Sequence, residues 1–487
     1  MEGWKFTAPE VETVDNSLEF QPLTNINTLL FSSPTNSTII ATTIDPNNNV
    51  YLIGSFIGSM DNVASEDRDI FVAKLSAKGA LLWKIHLHSN LNEVNSATGD
   101  DRGLDIFWSQ QDQAIYIAGH TNSSLVETNS SGNPDIFWGK ISTSGQIQWL
   151  KQLGQESIAN LSLTAGMTLD STQLERFQSL NQLSTGEIVI VFDTAGSLFE
   201  THALNGDIAA LKANKTTGNF ISGRQLGVET LSAWGTAQGI TTNGAGIDMS
   251  TRIAIDGDKI VFAYHTTGSL VEPNGGGSQR DTGLIVLNPD LTIHTLSQLG
   301  QTTYNAWKAI HYPAGNITSA DTPQSVLVNG PGDYLVVGKT SSNMSEVKLN
   351  ADIFFIRYVN GNIQNIVQYG TTTFPSATGN EEPRALIKDP QTGRIYSTGH
   401  TASPLFDTTN GILKPYLIRV NENGEFQAGA QYGIDAATDL GTTAYYGVVI
   451  DRNPVVKDGR IFLTFNHDPL NNPGLSYEGL LWNIPAP

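Results

Sequence analysis

Ala114-Ile115-Tyr116-Ile117-Ala118-Gly119-His120-Thr121 is the stretch that decides the fold. It is apolar at consecutive positions instead of alternating, which is the pattern of a strand covered on both faces. Six further copies start at Val50-Tyr51-Leu52-Ile53-Gly54, Ile188-Val189-Ile190-Val191-Phe192, Ile260-Val261-Phe262-Ala263-Tyr264, Tyr334-Leu335-Val336-Val337-Gly338, Ile395-Tyr396-Ser397-Thr398-Gly399 and Ile461-Phe462-Leu463-Thr464-Phe465. With the second copy counted from Ile115 to Gly119, the fifth positions of successive copies lie 61 to 74 residues apart. A repeat of that length with several strands per unit predicts a β-propeller blade, because an isolated four-stranded sheet has to bury its faces against neighbours.

Outward from Ala114–Thr121, the same repeat reads as a whole blade. Leu104 to Ser109 is an innermost strand, Gln110 to Gln113 a tight turn, Ile136 to Ile141 a third strand and Gln146 to Leu153 the outermost. The third strands open on Asp69, Asp135, Asp207, Asp281 and Asp352, and Lys74, Lys140, Lys212, Arg357 and Arg419 recur in most copies five residues further in. A separation of five puts the two columns on opposite faces of one strand, so each is expected to meet a neighbouring loop or blade. Outer strands end in Gln-Leu-Gly or Gln-Tyr-Gly: Gln152 to Gly154, Gln225 to Gly227, Gln298 to Gly300, Gln368 to Gly370 and Gln431 to Gly433.

With these residues in place, the second copy (Gly119-His120-Thr121, Asp135-Ile136-Phe137-Trp138-Gly139-Lys140, Gly145, Trp149, Gly154) resembles the bacterial SBBP β-propeller repeat. The resemblance runs from about Asn36 to Ile484 and departs where Lys414 and Glu478 replace the aspartate and where Val286 and Asn483 replace the base. It implies a seven-bladed ring in surface or interaction proteins and supplies no catalytic residue. The expected fold is thus all-β: a seven-bladed propeller of four-stranded antiparallel blades over residues 35–487, closed by a strand from residues 1–34. Blade seven ends at Ile484 to Pro487 without a Gln-Leu-Gly strand, and Ser17-Leu18-Glu19-Phe20-Gln21 or Trp4-Lys5-Phe6 is expected to complete it. An open sheet edge would otherwise invite aggregation.

Composition narrows the partners. Charged residues make up 15% of the 487-residue chain, below the roughly 25% usual for soluble proteins, and the net charge is −20. That charge opposes nucleic-acid phosphates and anionic lipid, so neither is expected as a partner. With no cysteine, disulfides, thiolate metal sites and cysteine nucleophiles are excluded. Met1-Glu2-Gly3-Trp4-Lys5-Phe6 lacks the basic start and apolar stretch of a signal peptide, and no run reaches the ~18 apolar residues of a membrane span.

Turn lengths point to the binding surface. First-to-second turns (Asp45 to Asn49, Leu183 to Glu187, Asp256 to Lys259, Asp389 to Arg394) and third-to-fourth turns are short, whereas second-to-third and blade-to-blade connections are long. Because strands alternate in direction, the long loops share one face, which is the expected binding face. On it Trp234 and Trp307 each follow an outer-strand glycine by seven residues, and the second loop adds Tyr304, His311 and Tyr312. Amphipathic aromatics of this kind suit a glycan or a protein hot spot; the alternative is a helical turn whose rings plug the gap between blades.

Other constellations read as structural. His120, His265 and His400 share a column in blades that are not adjacent, too far apart for one ion with ~2 Å bonds to nitrogen. Asp45-Pro46-Asn47-Asn48-Asn49 lacks the glycine and distal glutamate of a calcium loop and reads as a turn. Asp100 and Asp101 beside Arg102, and Glu381 and Glu382 beside Arg384, sit at the mouths of inner strands, where carboxylates facing the channel would suit a glycosidase or lyase. No catalytic residue, metal site or cofactor is assigned.

The functional expectation is a non-enzymatic structural or interaction propeller that binds a protein or glycan partner through its long-loop face. Low charge density without a signal peptide fits a chain assembled into an extracellular particle or virion, such as a phage tail or contractile injection device. The alternatives are a carbohydrate-active propeller enzyme and an intracellular scaffold.

Overall fold

A computed structural model describes residues 23–25, 29–31, 36–60, 63–87, 99–129, 133–165, 175–200, 206–242, 249–274, 280–348, 350–374, 379–406, 414–431, 455–457, 460–467 and 478–485. Six sheets each contain four sequence-consecutive strands in simple up-and-down order, antiparallel throughout. The second of these blades comprises Arg102–Ser109, Ala114–Thr121, Asp135–Ser142 and Ile147–Gln152, within two residues of the boundaries expected from sequence. One further sheet orders Leu23–Asn25, Glu478–Pro485, Arg460–His467 and Val455–Lys457, with Leu23 opposite Trp482. The two segments expected to supply that first strand, residues 4–6 and 17–21, lie outside the described residues.

Second and third strands are buried on both faces because each blade packs on the next. One apolar cluster joins the second and third blades through Tyr116, Trp138, Phe177, Ile188 and Leu211, and another joins the fourth and fifth through Val261, Val286, Tyr334, Phe354 and Tyr358. Within a blade, one aromatic ring recurs at a fixed level. It comes from the third strand where the second has glycine (Gly54 opposite Phe71, Gly119 opposite Phe137, Gly338 opposite Phe354, Gly399 opposite Tyr416). It comes from the second strand where the third is small (Phe192 opposite Ala209, Tyr264 opposite Gly283). The glycines are obligatory there: a Cβ on Gly338 would lie 2.4 Å from the Thr322 carbonyl oxygen and 2.5 Å from the Phe354 ring.

Lys74, Lys140 and Arg357 of the Lys/Arg column reach the next blade, whereas Lys212 pairs with Glu187 of its own blade at 3.1 Å. Lys74 Nζ donates to the Thr143 carbonyl (3.2 Å) and Lys140 Nζ to the Lys215 carbonyl (3.3 Å), both in third-to-fourth turns of the following blade. Trp83 and Trp149 donate their indole N–H to the same two carbonyls and lie over Gly145 and Gly218 of those turns. The inner strands bulge by an extra residue, for example between Gly103 and Asp105 and between Phe177 and Ser179. At the second blade the bulge turns Asp105 toward the axis, where it accepts from Arg252 of the fourth blade (3.0 Å), Ser179 Oγ (3.1 Å) and Leu180 N–H (3.2 Å).

Candidate binding face

The Gln of the Gln-Leu-Gly motif organises the long-loop face. Its amide N–H₂ donates to the third-strand aspartate and to a carbonyl of the second-to-third loop: Gln152 to Asp135 (2.8 Å) and Ser123 (3.1 Å), Gln225 to Asp207 (2.6 Å) and Gly196 (2.9 Å), Gln298 to Asp281 (3.0 Å) and Gly268 (3.1 Å), Gln368 to Asp352 (2.7 Å) and Ser342 (3.0 Å). Its carbonyl accepts loop N–H groups, as Gln298 Oε1 does from Leu270 (2.9 Å) and Val271 (3.1 Å). In the first blade His86 stands at the Gln position and meets Asp69 at 2.6 Å. A buried amide can satisfy a buried carboxylate and a loop together, so the loops are fixed to the sheet beneath.

A second device ties those loops to the blade-to-blade connections. After Gly154, Gly227 and Gly300 the chain turns into the helices Gln155–Ala165, Val228–Gln238 and Gln301–His311. A loop glutamate accepts the first N–H groups: Glu127 from Gly154 (2.5 Å) and Ser157 (3.1 Å), Glu272 from Gly300 (2.9 Å) and Thr303 (2.8 Å), and Glu200 from Gly227 and from Thr230 (2.8 Å). This satisfies helix-start donors and places negative charge at the positive helix end. Glycine is required before the first and third of these helices because the glutamate loop crosses there; a Cβ on Gly154 would lie 2.6 Å from the Thr128 carbonyl oxygen and one on Gly300 2.6 Å from the Pro273 carbonyl oxygen. Sequence reading missed these glutamates. Their signal is Leu-x-Glu at Leu125–Glu127, Leu198–Glu200 and Leu270–Glu272, 27 or 28 residues before the glycine.

The aromatic candidates divide by burial. Tyr304 (0% exposed) and Trp307 (8%) belong to the core between the fourth and fifth blades, and Tyr304 Oη donates to the Met344 carbonyl at 2.7 Å. They hold the helix Gln301–His311 on the ring, as a plug between blades, and are not surface contacts. His311 is exposed and stacks on Trp307 with centroids 4.8 Å apart, while Tyr312 and Trp234 are half-buried. The exposed flank of the same helix carries Ile310, 79% accessible.

The charged candidates also divide. Asp101 and Glu381, each 1% exposed, are built into blade junctions and do not face the channel. Asp101 accepts from Thr121 Oγ1 (2.6 Å), Ser123 Oγ (2.7 Å) and Asn122 N–H (3.1 Å), and its own N–H donates to the Arg68 carbonyl of the first blade. Burial pushes its carboxyl up to about 6 and that of Glu381 up to about 8, each helped by an aspartate of the preceding blade, Asp69 and Asp352. Asp100 pairs with Arg68 (2.9 Å) and Arg102 (2.6 Å); burial alone would raise its carboxyl, but the two guanidiniums hold it below the usual range. Glu382 pairs with Lys339 at 2.5 Å. His265 and His400 are buried, and burial lowers both to about 4, so they are neutral strand-end side chains. Among the described residues no three His, Cys, Asp or Glu side chains converge as a metal set.

One cavity of about 500 Å³ opens on this face at the channel mouth, lined by Asp100, Arg102, Leu104, His120, Asn122, Pro134, Glu175, Arg176, Phe177, Gln178 and Met249. It spans inner strands of the second to fourth blades. Sequence places Arg102 beside acids; Arg176 and Gln178 join it because blade packing brings the starts of adjacent inner strands together, and His120 joins it as the cross-strand partner of Arg102.

No family model and no curated protein matches the chain. Solved structures do. A PL25 ulvan lyase bound to a -[GlcA(1-4)Rha3S]- ligand is 11% identical with a TM-score of 0.51, over 94% of this chain and 96% of that one. The Dos1 propeller is 8% identical (TM-score 0.41; 94% and 96% covered), and the propeller domain of the Trilobed protease from Pyrococcus furiosus is 8% identical (TM-score 0.44; 94% and 97%). At these identities the likeness concerns fold alone, and by it the chain is an all-β propeller.

Proposed function

We propose that the protein is an SBBP-type, seven-bladed interaction propeller, non-enzymatic, that engages a protein or glycan partner through its long-loop face as a component of an extracellular particle such as a phage tail or contractile injection device. The observation that carries the binding face is the cavity at the channel mouth, held by loops that glutamine and glutamate side chains fix in place. Fixed loops cost little ordering on binding, which favours recognition. Trp234, His311 and Tyr312 extend the same face. Pairing of Leu23–Asn25 with Glu478–Pro485 supports ring closure by an N-terminal strand, as do the contacts of Asn36–Ile44 with Arg460–His467 and of Glu381–Lys388 with Val455–Lys457.

A second reading, a carbohydrate-active enzyme, is favoured by one feature: the cavity brings Asp100, Glu175 and His120 beside two arginines. Purified particles from the source, probed for this chain by mass spectrometry, test the first reading. The chain is expected in the particle fraction at fixed stoichiometry; recovery only as free protein in cytosol would overturn the particle assignment.

A further inference from the structure

We propose that the channel-mouth cavity binds an uncharged saccharide through its ring hydroxyls. This rests on the long-loop face being the binding surface and names the chemistry it takes. At about 500 Å³ the cavity is within the ~300–1,000 Å³ typical of small-molecule sites.

Charge around the cavity is balanced, which argues against an ionic ligand. Arg102 donates to Asp100 Oδ2 through Nε (3.0 Å) and Nη2 (2.6 Å), and Arg68 meets the other oxygen of the same carboxylate at 2.9 Å. Arg176 stands directly across the strand pair from Asp193, which also accepts from the Gln178 amide and from Ser250 N–H (3.0 Å). Asp101 and Glu175, both buried, complete the set. Three guanidiniums thus stand against four carboxyls, and burial pushes Asp101 up to about 6 and Asp193 up to about 7, which leaves both partly protonated near neutral pH. Neither sign prevails, so neither an anion nor a cation meets an uncompensated counter-charge.

What remains is hydrogen-bonding capacity of both kinds, side by side. Asp100 and Arg102 are each close to half exposed (44% and 45%), and a carboxylate has about four lone-pair sites and a guanidinium five N–H donors, more than their mutual pairing consumes. The Asn122 side chain, in the same lining, forms no hydrogen bond among the described residues, although its backbone N–H donates to Asp101. A hydroxyl is the group that donates to a carboxylate while accepting from a guanidinium or an amide, and neighbouring hydroxyls on a ring do so in series. Leu104, Pro134 and Met249 supply half-buried apolar surface beside these groups. A ring with hydroxyls on its edge and C–H groups on its face, a pyranose, meets both walls.

Binding of the full chain to an array of neutral oligosaccharides built from hexoses, 6-deoxyhexoses and N-acetylhexosamines, printed beside uronate, sulfated and free-amine glycans, tests the assignment, with the strongest neutral hit then titrated by calorimetry. Neutral glycans are expected to give the strongest signals. Because no net charge is exchanged, the affinity should change by less than about twofold between roughly 50 and 500 mM salt. It should fall about tenfold or more in the Asp100→Ala/Arg102→Ala variant and about threefold or more in Asn122→Ala. The Asn122 side chain holds no part of the fold, so that variant should keep its melting temperature; if the double variant melts early, Asn122→Ala and the salt series of the unmodified chain decide. No binding of any neutral glycan, stronger binding of the charged ones, a steep salt dependence, or unchanged affinity in the folded variants overturns the proposal. Should glycans fail while the long-loop face is still protected in particles, only the ligand class falls; if that face is unprotected as well, the binding surface falls with it.

Discussion

Replacing Asp321 by Asn should make the protein more stable at alkaline pH, with a gain that shrinks steadily toward nothing as pH falls to about 4. Asp321 opens the inner strand of the fifth blade and is 1% exposed. Thr340 Oγ1 donates to it at 2.5 Å and Ser342 Oγ at 3.5 Å, and its N–H donates to the Arg280 carbonyl of the fourth blade. Next to that carbonyl stands Asp281, itself fully buried and held by Gln298. Lys348 and Tyr304 also face the carboxyl. Burial, with the Asp281 charge adding to it, pushes Asp321 up to about 8 from 3.8 despite the two hydroxyl donors. A carboxyl whose folded pKa is raised contributes stability that is complete below about pH 4 and is lost as pH rises through about 8.

Four pH units at ~1.4 kcal/mol each give on the order of 5 kcal/mol for full ionisation of this group. Asparagine keeps the acceptor for Thr340 and presents a neutral N–H₂ toward Asp281, so it mimics the protonated acid at every pH. With an unfolding entropy of roughly 1 kcal/mol/K for a chain of this size, the variant should melt about 5 °C above the parent at pH 9 and only about 1–2 °C above it at pH 5. Scanning calorimetry of both proteins from pH 5 to 9 reads this directly. Self-repulsion of the −20 charge affects both alike, so the difference between the two curves is the informative quantity. A variant that melts below the parent at pH 9, or a difference that does not change with pH, would refute the buried-acid reasoning.

Three further outcomes follow from the packing. Gln298→Ala strands Asp281 and two loop N–H groups and should cost about 2–4 kcal/mol, read as a fall in melting temperature and faster proteolysis after Leu270. Gly338→Ala, with its Cβ driven against the Thr322 carbonyl and the Phe354 ring, should cost about 1–3 kcal/mol or prevent folding, whereas Ala at Gly393, where a Cβ would meet nothing within 4 Å, pays only for its positive φ. Deleting residues 1–25 removes the strand paired with Glu478–Pro485 and should lower the melting temperature by several degrees; unchanged cooperative unfolding would remove the N-terminal clasp.

The blade plan was legible because burial on both faces writes itself as consecutive apolar residues, as in Ala114–Thr121. Strand ends were legible for a related reason: Asp135 and Gln152 recur because they bond each other. The third and fourth blades break the glycine pattern at Phe192 and Tyr264, and only the register explains why, since Ala209 and Gly283 leave room for the ring across the pair. The binding face was legible as a face, from turn lengths, but not residue by residue. Trp307 looks like a surface anchor until the helix that carries it is seated, because one aromatic can fill either a gap between blades or a partner's pocket. The cavity escaped notice because Arg102 and Arg176 are 74 residues apart and meet only through ring geometry.

The most direct test of long-loop-face binding is hydroxyl-radical footprinting of the chain in intact particles against the same chain purified free. Binding through that face predicts protection of Trp234, His311, Tyr312 and the arginine-lined cavity, with unchanged labelling of Lys78, Gln391 and Asn423 in the short turns. Protection confined to the short turns, or to the exposed outer-strand residues Leu82, Ile147, Ile221 and Phe426, would contradict it.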